Sequence, residues 1–178
     1  MLYSLCYPTL SVEDGAFIQA YRKKYDLSFV DVVSHHFTIA FGLSEIDSEV
    51  YINHVRQIAE HTKRIRFSCR YAMLGKDDFN DNYHVFLVPD EGFSEIALLH
   101  DKVYAGPLEA YLRLDIPYIP HITIATIPDC NKVKMLCDEL NGIDLAITGS
   151  LDGITIGHYD GSFVHDLETI KFAEYSPG

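Results

Sequence analysis

Two stretches of the sequence repeat one pattern: residues 35–41 read HHFTIAF and residues 120–126 read PHITIAT. Aligned on His36 and His121, the stretches share His, Thr, Ile and Ala over five positions, and the two histidines lie nearly half the chain apart. Most of the remaining positions are β-branched or aromatic, which is typical of strands. The repeat therefore predicts two equivalent strands, one in each half of the chain.

The alternation of side chains along a strand decides where these residues point. Residues i and i+2 share one face, so His36 projects with Thr38 and His121 projects with Thr123. The opposite face is apolar in both stretches, where it carries Phe37, Ile39, Ile122 and Ile124. Two strands that each place an imidazole and a hydroxyl on one face predict a polar cleft rather than a packed core.

These four side chains suit the cleavage of a phosphodiester. Attack of water at phosphorus needs a base for the nucleophile and an acid for the departing oxygen, and histidine can serve as either because it titrates near neutrality. Threonine hydroxyls can donate hydrogen bonds to the non-bridging phosphate oxygens, where charge builds up. A single His-x-Thr on a strand is usually structural, but two matched copies favour a catalytic site. A metal site at the two histidines would need carboxylate or cysteine partners nearby, so no metal or cofactor is expected.

Helical and strand-like segments alternate along the chain. Helices are predicted from Thr9 or Ser11 to Tyr25, from Asp47 or Ser48 onward, over Ser94–Tyr104 and after Asp129. Strands are predicted over Leu2–Tyr7, Val32–Phe41, Arg64–Leu74, Tyr83–Val88, Ile119–Ile127, Leu145–Tyr159 (with a break around Gly149–Gly153) and Phe163–Phe172. Hairpin signals at Lys76–Asn82 and Asp160–Gly161 predict antiparallel pairing. The expected class is α+β, with antiparallel sheets that carry helices on their outer faces.

Composition limits the classes of function. The chain has 178 residues, 48% of them hydrophobic, and a formal net charge of −12. An acidic protein is poorly suited to following long nucleic acids, although a few directed groups can still hold a small phosphorylated substrate. The sequence shows no apolar run of membrane-spanning length and no basic secretory segment at its start, so a cytoplasmic protein with no membrane partner is expected. The four cysteines are scattered and predict no zinc site.

The paired motifs resemble the H-x-[ST]-x signatures of the two-histidine (2H) phosphoesterase superfamily, which includes the LigT-like 2′-5′ RNA ligases and the cyclic phosphodiesterases of plants and yeast. The length, the motif separation, Pro8 after the first strand and the closing Leu151-Asp152-Gly153 also fit. The resemblance implies a bilobal fold with pseudo-twofold symmetry around a central cleft. Residues 1–178 would then form one domain of two tightly packed lobes, with the crossover near residues 89–92.

The resemblance also implies a reaction. Members of this superfamily hydrolyse 2′,3′-cyclic or related cyclic phosphates, usually to 2′-phosphates, without a metal. Carried over to this chain, His121 would act as the base that activates water and His36 as the acid that protonates the leaving oxygen. One departure is His35, where the family often has proline. Strand alternation turns His35 away from the cleft, toward the core or the interface between the lobes.

Three further residues are weaker candidates for binding the substrate. The sequence contains no tryptophan, so a nucleobase would stack on tyrosine or phenylalanine. Tyr118, just before the second motif, and Tyr7, at the end of the first strand, are candidates for stacking, and His158 could line the cleft. Ordinary packing is the alternative for each of them.

The leading hypothesis is a cyclic phosphodiesterase that acts on small cyclic nucleotides or short RNA ends. One alternative is a 2′,5′-phosphodiesterase or RNA ligase that acts on 2′,5′-linked oligonucleotides. Another, from a different class, is a non-catalytic module of the same fold that binds nucleotides or RNA ends. Turnover separates the enzymes from the binding module, and a substrate panel separates the two enzymes.

Overall fold

The computed structural model describes residues 1–77 and 80–173. The helices are α1 (Val12–Tyr25), α2 (Ser48–Glu60), α3 (Phe93–Val103) and α4 (Cys130–Asn141), and a 3₁₀ helix covers Gly106–Tyr111. The strands are β1 (Leu2–Cys6), β2 (Thr9–Leu10), β3 (Phe37–Leu43), β4 (Ile65–Cys69), β5 (Tyr71–Lys76), β6 (Tyr83–Val88), β7 (Ile122–Ile127), β8 (Ile147–Leu151), β9 (Gly153–Tyr159) and β10 (Val164–Lys171). No helix among the described residues is long and apolar enough to cross a membrane.

The strands form three sheets, and every pairing of these strands is antiparallel. One sheet has the order β10-β9-β1-β3, the second has the order β5-β6-β7, and a small third sheet has the order β2-β8-β4. Helices α2 and α3 pack on the four-stranded sheet, and helices α1 and α4 pack on β5-β6-β7. The predicted α+β class with antiparallel sheets is confirmed.

The helices begin at polar caps and bury one apolar stripe. At α2, the Asp47 carboxylate accepts hydrogen bonds from the backbone N–H groups of Glu49 and Val50, as an N-cap residue does. Tyr51, Val55 and Ala59, four residues apart, are fully buried. The Tyr51 hydroxyl lies 2.7 Å from the Ser4 hydroxyl, so helix and sheet are joined by a buried hydrogen bond as well as by packing.

The two large sheets do not follow the two halves of the sequence. Strands β9 and β10 from the second half pair beside β1 and β3, whereas β5 and β6 from the first half pair with β7. The segment at residues 89–92, predicted as the crossover between lobes, is therefore one of several crossings and leads from β6 to α3. The division into two lobes with a crossover at this segment stays a prediction, since side-chain periodicity shows which face of a strand is buried but not which strand pairs with it.

The strand predicted over Val32–Phe41 begins only at Phe37, and residues 27–32 form turns. The guanidinium of buried Arg22 donates to the carbonyls of Phe29, at 3.0 Å, and Val33, at 2.9 Å. Those carbonyls therefore accept hydrogen bonds from a side chain rather than from a neighbouring strand. The Val164 N–H donates to the Val32 carbonyl, which fastens this loop to β10.

Both predicted interruptions of the late strands are present: β8 ends at Leu151 and β9 starts at Gly153, and the β9–β10 hairpin turns at residues 160–163. The turn predicted at Lys76–Asn82 includes residues 78 and 79, which lie outside the described residues. The strands on either side of it pair from Tyr71 opposite Val88 to Lys76 opposite Tyr83.

Candidate active site

The two motif strands share a backbone irregularity that the sequence does not show. In β3 the register slips after Thr38: Leu5 lies opposite Thr38, and Ser4 lies opposite Ala40. In β7 the register slips after Thr123, because Phe86 lies opposite Thr123 and Val85 opposite Ala125. Each motif thus carries a β-bulge with one extra residue, Ile39 or Ile124. The internal repeat therefore extends from residue identity to strand geometry.

Each motif histidine is anchored to the backbone in the same way. Nδ1 of His36 lies 2.7 Å from the carbonyl oxygen of Ser34, and Nδ1 of His121 lies 2.6 Å from that of Ile119. A carbonyl oxygen can only accept, so each Nδ1 carries the proton and donates it. In the neutral ring Nε2 is then unprotonated. Both histidines are thereby prepared to exchange a proton through Nε2.

The motifs meet at a cavity of about 290 Å³. His36, Thr38 and Thr123 line it, and both threonines are half-buried. His121 does not itself line this cavity, and the second motif reaches it through Thr123. In the part of the chain that the structure describes, no three His, Cys, Asp or Glu side chains are grouped as metal ligands.

The surroundings of both histidines favour the neutral ring. Burial lowers the pKa of His36 to about 4, and the positive charge of Arg22 acts in the same direction, against the hydrogen bond to Ser34. Burial likewise lowers the pKa of His121 to about 4, against the hydrogen bond to Ile119. The hydrogen-bond partner of each ring is a backbone carbonyl, which carries no full negative charge to stabilise the protonated ring. At neutral pH both rings are therefore uncharged until an anion binds beside them.

A set of three stacked rings supports the second motif. The ring of Phe86 lies on His121, with a centroid separation of 3.8 Å and an interplanar angle of 27°, and the His84 ring also stacks on Phe86, at 5.4 Å. Gly75 on the neighbouring strand makes this possible, because a Cβ there would lie 2.2 Å from the Phe86 ring. Sequence reasoning missed these residues, since only the pairing of β5, β6 and β7 brings them to the motif.

His84 adds a third imidazole to the cavity. Its Nδ1 lies 3.1 Å from the Thr126 hydroxyl and its Nε2 lies 3.4 Å from a carboxylate oxygen of Asp77. Burial lowers the pKa of His84, and the neighbouring Asp77 acts against that shift. His84 and Asp77 both line the cavity, on the side of β5 and β6. The sequence does indicate that His84 and Phe86, two residues apart, share one face of β6. It does not show which strand pairs with β6.

His35 lies in the cavity wall rather than away from it. The prediction extended strand alternation back to residue 35, but the chain bends there and β3 starts at Phe37. The Nδ1 of His35 is buried and has no hydrogen-bond partner among the described residues. Burial and the charge of Arg22 lower the pKa of His35.

The weaker candidates occupy different places. Tyr118 donates from its hydroxyl to the Thr38 carbonyl at 2.9 Å and stacks on His100 at a centroid separation of 3.7 Å, so it ties the segment before the second motif to the first motif. Tyr7 meets the His36 ring edge-on at 6.3 Å. Neither tyrosine lines the cavity. Their predicted stacking on a nucleobase stays a prediction.

The third weak candidate, His158, does not line the cavity, whereas its neighbour Tyr159 does. Adjacent residues of β9 point to opposite faces, which explains why His158 lies on the face of the strand that is turned away from the cavity. The aromatic residues in the cavity wall are instead Tyr3, Phe29 and Tyr159. Sequence reasoning missed them because none lies in or beside a motif.

Comparison with known proteins identifies the family. Residues 10–162 match the family model described as the 2′-5′ RNA ligase superfamily. The crystal structure of TT0787 of Thermus thermophilus is similar with a TM-score of 0.62 and 16% identity, over 98% of this chain and 99% of that chain. E. coli LigT is similar in its apo form (TM-score 0.55, 16% identity, 97% of each chain). It is also similar in its complex with 3′-AMP (TM-score 0.59, 14% identity, 97% of this chain and 98% of that chain).

A sequence search of curated proteins gave no match. The structural similarities, all at low identity, establish the fold, and the family model matches most of the chain. The chain therefore belongs to the 2′-5′ RNA ligase superfamily, the group of two-histidine phosphoesterases that its paired motifs resemble.

Proposed function

We propose that this protein is a phosphodiesterase that hydrolyses 2′,3′-cyclic, or related cyclic, phosphates of nucleotides or RNA ends to 2′-phosphates. The observation that carries the proposal is the matched anchoring of His36 and His121. Each ring donates from Nδ1 to a backbone carbonyl, and each histidine is followed two residues later by a threonine. Membership of the superfamily supports a phosphoesterase activity. The similar LigT structures include complexes with 3′-AMP, NADP⁺ and ATP, which supports a nucleotide as the ligand here as well.

The reaction follows from the protonation states of the two rings. Neutral His121 accepts a proton through Nε2 from a water molecule, whose oxygen attacks phosphorus. The bond from phosphorus to the 3′ oxygen breaks, and protonated His36 gives its proton to that oxygen. The hydroxyls of Thr38 and Thr123 donate to the non-bridging oxygens as their charge increases. The product is a 2′-phosphate with a free 3′ hydroxyl.

Substrate binding favours the protonated state that His36 needs, with the proton taken up from solvent. The pKa of His36 is about 4 without a ligand, largely because the ring is buried. A phosphodiester carries one negative charge, and an anion beside an imidazole raises the pKa of that imidazole. The substrate anion thereby favours protonation of one ring, while the other ring remains neutral. The division into acid and base follows the superfamily, with His36 as acid and His121 as base.

The proposal is tested by an assay of the purified protein with four substrates: a nucleoside 2′,3′-cyclic phosphate, an RNA with a cyclic phosphate end, ADP-ribose 1″,2″-cyclic phosphate and a 2′,5′-linked oligoadenylate. We expect hydrolysis of the cyclic phosphates, with unchanged rates in chelator, and phosphorus NMR should show a 2′-phosphate product from the two 2′,3′-cyclic substrates. The variants His36→Ala and His121→Ala should each lose activity by at least about 100-fold, as for other general acid–base groups. Circular dichroism should show that both variants are folded.

The other outcomes separate the alternatives. Turnover of the 2′,5′-linked substrate alone would replace the proposal with a 2′,5′-phosphodiesterase, and joining of 2′,5′ ends would identify a ligase. Binding of nucleotides without turnover of any substrate would identify a non-catalytic module. Activity that disappears in chelator would contradict the metal-independent mechanism.

A further inference from the structure

The described residues that line the cavity include no unpaired cation for a second phosphate. Among the described residues that line it, Arg22 is the only arginine or lysine, and 2% of its surface is exposed. Its Nε pairs with the Asp26 carboxylate at 2.8 Å, and its other two nitrogens donate to the carbonyls of Phe29 and Val33. Each nitrogen of this guanidinium therefore already donates a hydrogen bond inside the protein, and its charge is paired with that of Asp26.

The cavity wall also carries a carboxylate, that of Asp77, which is not fully buried. The Asp77 side chain is 14% exposed and the His84 side chain beside it is 12% exposed. Asn80 donates to the Asp77 carboxylate at 2.9 Å, which ties Asp77 into the β5–β6 turn. His84 stacks on the same Phe86 ring that contacts His121, so the Asp77–His84 pair is linked to the second motif through one aromatic ring.

Apolar side chains complete the cavity. Leu5, Phe29, Val32 and Val33 contribute to its wall together with the aromatic rings of Tyr3 and Tyr159. Cavities of this kind, largely apolar with a few convergent polar groups, are typical of sites for small organic ligands. A phosphate would be held by the motif threonines, and an uncharged group with hydrogen-bond donors would suit the carboxylate oxygens of Asp77.

We propose that this cavity binds the uncharged nucleoside of a substrate with one phosphate, that the Asp77 carboxylate beside His84 hydrogen-bonds to that nucleoside, and that Asp77 excludes substrates with a second phosphate. The inference rests on the proposed function and narrows its substrate. The Asp77 carboxylate accepts hydrogen bonds from base amino groups or ribose hydroxyls, and it repels a second anion, since the one cation among the described lining residues, Arg22, is paired with Asp26. Mononucleoside cyclic phosphates are then preferred over 5′-phosphorylated ones.

Three substrates test the inference: adenosine 2′,3′-cyclic phosphate, the same nucleotide with a 5′-phosphate, and ethylene glycol cyclic phosphate, which has no nucleoside. We expect the unmodified protein to favour the first over the second by at least about tenfold in kcat/KM. Asp77→Asn keeps the shape but removes the charge, and it should reduce this preference by about threefold or more. The unmodified protein should show a higher KM for ethylene glycol cyclic phosphate than for adenosine 2′,3′-cyclic phosphate, because the former has no nucleoside to bind.

Asn80→Ala is the matched control, because it removes the hydrogen bond to Asp77 in the turn and changes no charge in the cavity. It should keep the substrate preference. Equal rates with and without the 5′-phosphate, or an Asn80→Ala variant that behaves like Asp77→Asn, would overturn the inference while leaving the phosphodiesterase intact. If none of the three substrates is hydrolysed, the proposed function fails. Calorimetry then decides the inference separately, since adenosine 2′-phosphate should bind more tightly than adenosine 2′,5′-bisphosphate, and Asp77→Asn should reduce the difference.

Discussion

At the scale of single residues, the fold keeps the two motif histidines neutral, and this lowers the free energy of unfolding by an amount that depends on pH. The pKa of each is about 4 in the folded protein, compared with about 6.5 for a histidine in an unfolded chain. Between these values the unfolded chain binds a proton that the folded protein does not. Acid in this range therefore lowers the free energy of unfolding, and each histidine contributes to the loss.

This linkage gives a measurable prediction. Between about pH 7.5 and pH 5, each motif histidine should remove roughly 1 to 2 kcal/mol from the free energy of unfolding. His36→Gln and His121→Gln should each make that free energy less dependent on pH over this interval. Urea denaturation at both pH values measures the effect, and His61→Gln, on exposed His61, is the control. Variants that keep the full pH dependence would show that the motif rings are not held neutral.

The Phe86–His121 stack depends on the absence of a side chain at Gly75. A Cβ at this position would lie 2.2 Å from the Phe86 ring, so Gly75→Ala should displace Phe86 and with it the support for His121. We expect kcat to fall by about tenfold or more, because small misplacements of a catalytic group are costly. Gly15→Ala is the control: a Cβ there meets nothing within 4 Å, and alanine favours helix α1. A Gly75→Ala variant with unchanged kcat would show that the stack does not position His121.

At the scale of secondary structure elements, sequence alternation predicted the motif strands well. Phe37 and Ile122 are fully buried, while Thr38 and Thr123 line the cavity, as the period of two requires. The bulges were not predictable, because a register shift is a property of two paired strands. The placement of His35 failed for a related reason: periodicity holds only within a strand, and β3 begins two residues later.

The loop between α1 and β3 depends on the buried Arg22–Asp26 pair. Both side chains are at most 3% exposed. Arg22→Met should destabilise the protein by about 3 to 5 kcal/mol, because it leaves the Asp26 carboxylate buried and unpaired. Arg56→Met is the comparison, since the Arg56–Glu168 pair is over a third exposed and its loss should cost less than about 1 kcal/mol. Thermal or urea denaturation of the three proteins measures the difference.

A double variant distinguishes stability from positioning. Arg22→Met with Asp26→Leu replaces the pair with apolar groups and should recover most of the lost stability. It should not recover activity, because the Arg22 hydrogen bonds to Phe29 and Val33 hold the loop that leads to His36. Full activity in the stable double variant would show that the loop reaches its conformation without Arg22.

At the scale of the whole molecule, the sequence predicted the symmetry of the site but not the path of the chain. The repeat of the motif showed that β3 and β7 are equivalent, and the structure gives both the same bulge and the same histidine anchor. Which strands join each sheet depends on contacts between residues that are distant in the sequence. The sequence therefore does not show that β9 and β10 join β1 and β3, or that β5 and β6 join β7. The same limit hid His84 and Phe86, which reach the site only through the pairing of β6 with β7.

The charge of the whole molecule predicts how activity depends on salt. With a formal net charge of −12, the protein repels an anionic substrate at long range, while the contacts at the motifs are local and sheltered. Salt screens the repulsion, since the screening length falls from about 30 Å at 0.01 M to about 8 Å at 0.15 M ionic strength. We therefore expect kcat/KM for a cyclic mononucleotide to rise about two- to threefold over this interval, with little change in kcat. Steady-state kinetics in sodium chloride measures both constants.

The sign of this effect separates a small-substrate enzyme from a protein that binds along nucleic acids. Binding that neutralises many phosphates weakens steeply with salt, by a factor of about 1,000 or more when six or more phosphates are contacted. A short RNA with a cyclic phosphate end provides the comparison, because only its terminal phosphate needs to reach the His36 and His121 motifs. If its KM also falls or stays constant as salt increases, the RNA is held at its end. A steep rise of KM with salt would reveal a basic binding track that the charge of this chain does not predict.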